Sequence, residues 1–363
     1  VEILSFAEIR RLDNGDEVDD ARENDFHGFI HSIRRPGRVA SSGRAVVIAP
    51  VVTVTLNPAI DLTVTVAELA LGTVQRAKTA QSGVGGKGIN VAGCLADWGT
   101  PVIVTGVLGR TNAEPFAQFF AAKHIDDRFV RAPGETRTNI KIADLASGDT
   151  TDINLPGLAV DLTTYDLVWD TLVELVRPQG LVVLAGSLPE GLADGTWASL
   201  IADLERHGAR VVLDTSEGPF AAAMAEPEGR LPYCVKPNRL ELEAWAGREL
   251  PTIADLVAAA RDLVDLGIEL VVVSLGPEGA LFVRDGEALS ARLPPMRVLS
   301  TVGAGDAMVA GTVAALRDGL ALPEIARLAV AFATGKLSLV GPHLPERGEI
   351  EALATRVELR RVR

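Results

Sequence analysis

From residue 46 onward, two periodicities of apolar and polar positions alternate along the chain. Short apolar runs of strand length occupy 46–56, 102–108, 181–185, 210–214, 233–235 and 270–274. Stretches with helical spacing lie between or beyond them, at 88–98, 113–122, 195–206, 218–225, 239–246 and 253–266, and an Ala-rich stretch at 307–316 reads as a further helix. Strands buried on both faces read as continuous apolar runs, and β–α alternation predicts a mostly parallel sheet covered by helices on both faces. The expected class is α/β. Two stretches break the rhythm, 61–81 and 138–155, the second with a Ser147-Gly148-Asp149 turn. Both alternate polar and apolar residues without a helical period, which predicts antiparallel strands set apart from the main sheet. A small β-sheet lid accounts for them.

Residues 1 to about 45 do not share this pattern. A charge cluster between Asp13 and Asp25, then Arg34-Arg35-Pro36-Gly37-Arg38 and Ser41-Ser42-Gly43, predict a flexible extension outside the folded domain, which is expected to span 46–363. Over the whole chain an apolar fraction of 47% supplies a large core, but with aromatics at only 4%, Ala, Val and Leu must do most of the packing. No apolar run approaches the roughly 18–20 residues of a membrane span, and the acidic N-terminal residues carry no apolar leader pattern, so the expectation is a cytoplasmic protein. Cys94 and Cys234 lack metal-ligand spacing, as do the five histidines. A net charge of −13 argues against nucleic-acid or anionic-membrane partners. The charge is uneven, however: residues 76–141 hold nine basic residues against five acidic ones, a surplus suited to a small anionic ligand.

Candidate chemistry concentrates in glycine-rich turns. Thr301-Val302-Gly303-Ala304-Gly305-Asp306 follows an extended segment and opens the Ala-rich helix. The N–H groups of a first helical turn, with the positive end of the helix dipole, attract an anion. An aspartate in that turn would repel one. Asp306 is better explained as a base that takes a proton from a hydroxyl while Gly303, Ala304 and Gly305 hold the developing charge through their N–H groups. That pairing suits phosphoryl transfer to an alcohol. The alternative is a plain turn with Asp as a helix cap.

The other turns fit around that chemistry, each with a structural alternative. Gly85, Gly86, Lys87 and Asn90 lie in Gly83-Val84-Gly85-Gly86-Lys87-Gly88-Ile89-Asn90, between an extended segment and a helix, without Walker A spacing. They would let a ligand approach closely and add a charge and an amide, or form only a turn and cap. Asp61, after Asn57-Pro58, is expected at the carboxyl end of the first strand, where it would accept hydrogen bonds from sugar hydroxyls or serve a turn. Arg137, at the entry to the second lid segment, would clamp a phosphate or sit solvated. Lys236, Asn238 and Glu241 follow a short strand. Asn238 and Glu241 have capping-box spacing, and the functional reading has them meet nucleotide phosphates and hydrated Mg²⁺. Ser274, Gly276, Glu278 and Gly279 close another strand, as a nucleotide-contacting loop or a hairpin turn.

Occurring together and in this order, the motifs resemble the PfkB (ribokinase-like) carbohydrate kinase family. GGKGIN at 85–90 is similar to its first signature, STVGAGD at 300–306 to its second, and NRLE at 238–241 to its N-x-x-E element. TLNPAID at 55–61, TRTNIKI at 136–142 and the stretch 235–251 point within the family to the branch that phosphorylates fructose 1-phosphate. The resemblance covers 46 to about 360. It implies a ribokinase-like three-layer sandwich with a lid at about 61–81 and 137–155, often paired between two subunits as a homodimer. It implies ATP and Mg²⁺, with Asp306 as base and residues 303–305 as the anion hole. Asp61, Gly85, Gly86, Lys87 and Asn90 would hold the sugar and Arg137 its existing phosphate. Lys236, Asn238, Glu241, Ser274, Gly276, Glu278, Gly279 and Thr301 would serve Mg-ATP. Tagatose 6-phosphate or fructose 6-phosphate is the alternative acceptor, and a non-catalytic sugar-phosphate or nucleotide sensor the alternative of another class. One departure stands out. Where the family often places an Asn beside the nucleotide, this chain reads Ser338-Leu339-Val340-Gly341-Pro342.

Overall fold

Strand β1 (Val51–Thr55, VVTVT) is buried along its whole length, as a two-sided apolar run requires. It pairs in parallel with β4 (Val102–Gly109) on one side and β9 (Leu181–Ala185) on the other. The computed structural model describes residues 49–225, 230–294, 301–339 and 341–362. The expected extension at 1–45, Ser300 of the second signature and Val340 lie outside the described residues. From β9 the parallel sheet continues through β10 (Arg210–Asp214), β11 (Cys234–Val235) and β12 (Leu270–Ser274). At the other edge β4 pairs in parallel with the short strands β5 (Asp126–Asp127) and β6 (Val130–Ala132). Beyond β12 the sheet turns antiparallel through β13 (Ala280–Arg284), β14 (Glu287–Arg292) and β15 (Glu358–Arg361). Those three strands carry no β–α alternation and are not expected from the periodicity.

Helices α1 (Lys87–Asp97), α2 (Glu114–Ala122), α4 (Thr196–Arg206), α5 (Glu217–Met224), α6 (Arg239–Ala246) and α7 (Ile253–Asp265) fall where the helical spacing predicts them, within two residues at each end. Between the second lid segment and β9, α3 (Leu162–Leu175) adds a helix that the pattern did not separate from its surroundings. Asp161 caps it, accepting from the Thr164 N–H at 2.8 Å. After β14 come α8 (Ala304–Arg317), α9 (Leu322–Lys336) and α10 (Arg347–Thr355). Most residues of α8 and α9 are buried, and Ala and Gly supply much of both faces. Small side chains let these two helices pack closely where few aromatics exist to fill space. Among the described residues no helix is long and apolar enough to cross a membrane.

The two segments expected to form a lid make a second, four-stranded sheet in the order β3-β2-β7-β8, from β2 (Ala59–Val66), β3 (Thr79–Gly85), β7 (Arg137–Asp144) and β8 (Thr150–Ile153). Its outer pairs are antiparallel, as the alternation predicts, but the central pair β2/β7 is parallel. The chain crosses the main sheet between β3 and β7, so β7 starts from the same end as β2. The lid strands also begin and end differently from the expected segments. Asp61 lies inside β2 rather than at the end of the first strand, because Pro58 ends one sheet and Ala59 starts the other. Gly83 and Gly85 belong to β3, which leaves Gly86 alone between strand and helix.

Candidate active site

The carboxyl ends of β10, β11 and β12 carry Asp214, Lys236 and Ser274 side by side, and the first turns of α1 and α8 face them. Helix α8 starts at Gly303, whose φ of 81° is left-handed. No side chain caps its first turn. Asp306 therefore does not serve as the helix cap of the alternative reading: it is the third helical residue, buried, and turned toward α1. Its Oδ2 accepts from Asn90 Nδ2 at 2.7 Å, which ties the two glycine motifs together across 216 residues of sequence. Burial raises the Asp306 pKa, and the negative charge of Asp214 raises it further, against the opposing pull of Lys87, Asn90 and Lys236.

Asp214 is the member of this group that sequence reasoning missed. It is fully buried, and its Oδ1 takes Lys87 Nζ at 3.1 Å and Lys236 Nζ at 3.3 Å. Burial alone would push this carboxyl up, but the two ammonium groups hold it below its ordinary value, and Asp214 in turn raises Lys87. The only sequence signal was a carboxylate ending an apolar strand (RVVLD), with a lysine following each of two other strand ends. Strand-end residues of adjacent parallel strands converge, so such a carboxylate is a candidate partner for both.

A second missed residue is Lys336, the last residue of α9 and 2% exposed. The lysines flank the turn at 303–305: a Cβ on Gly305 would stand 3.6 Å from Lys236 Nζ, and one on Gly303 would stand 3.3 Å from Lys336 Cε. Gly303 thus needs both its positive φ and its missing side chain. Gly303→Ala is expected to destabilise the protein by roughly 1–2 kcal/mol through the left-handed backbone alone, and to weaken anion binding as Lys336 is displaced. Thermal unfolding together with ATP titration checks this. An alanine variant matching the parent in both would mean the turn relaxes without cost.

On the lid, Asp61 sits between Gly83 and Asn139 in register. Its Oδ1 accepts from Asn139 Nδ2 at 3.2 Å, Lys141 Nζ lies 3.8 Å from Oδ2, and a Cβ at Gly85 would come within 2.7 Å of Oδ2. Gly85 is therefore required by the approach of the carboxylate rather than by a turn. Arg137 starts β7 and reaches back across the junction of the two sheets. It donates to the carbonyls of Asn57 (3.2 Å), Leu155 (3.3 Å) and Pro58 (3.4 Å). Three backbone contacts fix the guanidinium at the lid hinge, half-buried, where desolvation lowers its pKa. The basic surplus of 76–141 is partly consumed locally, since Lys123 pairs with Asp97, Arg128 with Asp126 and Arg131 with Asp127. Lys87 is used by Asp214, and Arg137 has no carboxylate partner within ion-pair distance among the described residues.

On the opposite side, Asn238 and Glu241 form the capping box of α6: Asn238 Oδ1 accepts from the Glu241 N–H at 2.9 Å and Glu241 Oε2 accepts from the Asn238 N–H at 2.7 Å. Asn238 bridges Ser274, whose N–H donates to the Pro237 carbonyl at 3.0 Å. Gly276 and Glu278 form a 3₁₀ turn and Gly279 completes the β12–β13 hairpin, the structural alternative for this loop. Glu278 is exposed beside Arg239, and Thr301 is exposed. Among the described residues no group of three or more His, Cys, Asp or Glu side chains is arranged to enclose a metal ion. Such a donor set suits a hydrated divalent cation carried in on phosphates better than one held in a protein cage. The Glu241 carboxylate is half-buried in the α6 capping box.

The site thus combines a buried carboxylate, an uncapped helix N-terminus and three nearby ammonium groups. Residues 52–346 match the family described as pfkB family carbohydrate kinase. The chain is 51% identical to the 1-phosphofructokinase of Xanthomonas campestris pv. campestris over 287 residues, covering 79% of this chain and 90% of that protein. It is 46% identical to the 1-phosphofructokinase of Rhodobacter capsulatus over 312 residues, covering 85% and 97%. Among solved structures it resembles phosphofructokinase-2 from Escherichia coli in complex with substrates and products, with a TM-score of 0.79 and 30% identity over 84% of this chain and 98% of that one.

Proposed function

Since the chain belongs to the pfkB family of carbohydrate kinases, we propose that it is a 1-phosphofructokinase, transferring the γ-phosphoryl group of ATP to fructose 1-phosphate to give fructose 1,6-bisphosphate. The observation that carries the chemistry is Asp306: buried, raised in pKa and oriented by Asn90 at the mouth of an uncapped helix. The acceptor hydroxyl gives its proton to the Asp306 carboxylate as its oxygen attacks phosphorus. Asn90 holds Oδ2 and leaves the other carboxylate oxygen for that hydroxyl. The turn at 303–305 holds the transferring group through its N–H groups, and Lys236 stands beside it.

Asp61, Gly85, Gly86, Lys87 and Asn90 line the acceptor side. Arg137 receives the phosphate that the sugar already carries, with its three carbonyl contacts setting the guanidinium plane. Asn238, Ser274, Gly276, Glu278, Gly279 and Thr301 border the nucleotide side. Mg²⁺ would be held by the nucleotide phosphates and, through water, by Glu241; when bound it neutralises phosphate charge. The protein works in the cytoplasm as a homodimer joined through its lids. Leu71 and Val74, each 92% exposed on the β2–β3 connection, support that pairing, because large apolar side chains so exposed fit a protein contact.

The test is ADP release from Mg-ATP with fructose 1-phosphate, fructose 6-phosphate, tagatose 6-phosphate and free fructose, compared by kcat/KM. Fructose 1-phosphate is expected to lead clearly. Preference for another phosphosugar would move the acceptor and keep the mechanism, and binding of ATP without turnover of any acceptor would favour a sensor.

A further inference from the structure

Three lysines surround the anion-binding turn, and two of them have a carboxylate partner: Lys87 and Lys236 share Asp214. Lys336 is different. It is 2% exposed, and its Nζ donates to the Leu339 carbonyl oxygen at 2.9 Å. Among the described residues it has no carboxylate within ion-pair distance, while every ammonium carries three donors. Burying a cation this way is costly unless an anion arrives to compensate it. Consistent with that cost, burial lowers its pKa, with the Cys94 thiol and Asp306 pulling the other way.

The geometry says which anion. Lys336 Nζ stands 4.0 Å, and its Cε 3.3 Å, from the point where a Cβ on Gly303 would be, against the first turn of α8. The absence of a side chain at Gly303 therefore opens a path between the ammonium and the uncapped N–H groups. Lys336 approaches this turn from α9, whereas Lys236 approaches it at Gly305 from the strand ends. A group bound at the turn would have a cation on each flank.

We propose that Lys336 is a catalytic residue of the phosphoryl transfer, with its ammonium in contact with the γ-phosphoryl group of ATP while that group passes to the acceptor. The inference rests on the kinase reading above. In the step, the bond from phosphorus to the ADP oxygen breaks as the bond from the acceptor oxygen forms. ADP leaves with the electron pair of the broken bond, and the hydroxyl proton goes to Asp306. Lys336 exchanges no proton. It balances the charge spread over the phosphoryl oxygens, which is the main demand of this reaction. The Leu339 carbonyl holds the ammonium in place.

Lys336→Gln and Lys336→Met in the full chain test this. Glutamine keeps a donor for the Leu339 carbonyl and loses the charge; methionine loses both and removes a buried cation, so it is expected to melt at or above the parent temperature. Both variants are expected to lose about 30-fold in kcat, less than the ~10²–10³ of a lone anion-hole donor because Lys236 and the backbone N–H groups remain. The KM for fructose 1-phosphate should stay within about threefold, and calorimetric preference for ATP over ADP should fall. A glutamine variant with parental kcat and parental ATP preference would reduce Lys336 to a brace for the loop and overturn the inference while leaving the kinase reading intact. A parent protein inactive with every phosphosugar would overturn both.

Discussion

Replacing Asp306 with asparagine is expected to lower kcat by at least ~10²-fold while leaving nucleotide and sugar-phosphate binding nearly unchanged. Asparagine fills the same space and its amide oxygen can still accept from Asn90, but it cannot take a proton. Two further readouts separate a lost base from a disturbed site. In the parent, kcat/KM should fall on the acid side as Asp306 protonates, with a midpoint above the ordinary 3.8 of an aspartate, because burial and Asp214 raise it. The base must be ionised to work, so activity is present above the raised pKa and lost below it. That limb should vanish from the residual activity of the variant. Stability should move in the opposite sense to activity. A carboxylate whose pKa is raised by folding is uncomfortable when ionised, so at neutral pH Asp306→Asn should melt no lower than the parent. Unchanged turnover would remove Asp306 from the chemistry, and a collapsed melting temperature would show that the aspartate is held there for packing instead.

The sequence made the skeleton of this arrangement legible and left its electrostatics hidden. Helical spacing and apolar runs located α1, α2, α4, α5, α6 and α7 and the parallel strands β1, β4 and β9–β12, because burial on a sheet imposes a period that survives in one chain; the short parallel strands β5 and β6 went unread. The antiparallel strands β13–β15 were not visible, since their short alternating runs carry no helix to set them off. The lid was legible as a pair of non-helical interruptions. The parallel pairing of β2 with β7 was not, because register between strands so far apart depends on how the chain crosses the main sheet. At the site, glycine motifs marked Asp306 and Asn90 because a turn leaves a local trace. Asp214 left only the trace of a carboxylate ending an apolar strand, and Lys336, in a helix that the periodicity did not single out, left none. Each becomes part of the site only when 214, 236, 306 and 336 are brought together by the fold. Arg137 illustrates the converse. Its position was visible, but its three backbone contacts across the hinge depend on where β1 ends and β2 begins.

Asp214→Asn is the second large effect expected, and it acts on stability and catalysis at once. Among the described residues Asp214 is the only carboxylate pairing Lys236, itself 6% exposed, and it also pairs Lys87. Removing one partner of a buried pair leaves the other charge uncompensated, at a cost of about 3–5 kcal/mol. The lower end applies here, since the asparagine oxygen still accepts a hydrogen bond and Lys87, with a 36% exposed side chain, recovers part of its loss from water. At roughly 2 °C per kcal/mol for a chain this long, the melting temperature should fall by about 6 °C at neutral pH. The pH dependence follows from the sign of the shift. The Asp214 pKa is depressed on folding, so its contribution is present above the unfolded value and is lost as pH falls through the folded one. Parent and variant should therefore converge in stability at strongly acid pH. Catalysis adds an independent mark. Asp214 raises the Asp306 pKa, so its removal should slide the acid limb of kcat/KM to lower pH even as kcat falls from misplaced lysines. A variant that melts with the parent and keeps its acid limb in place would mean that water already screens both lysines and that the buried triad does not organise the site.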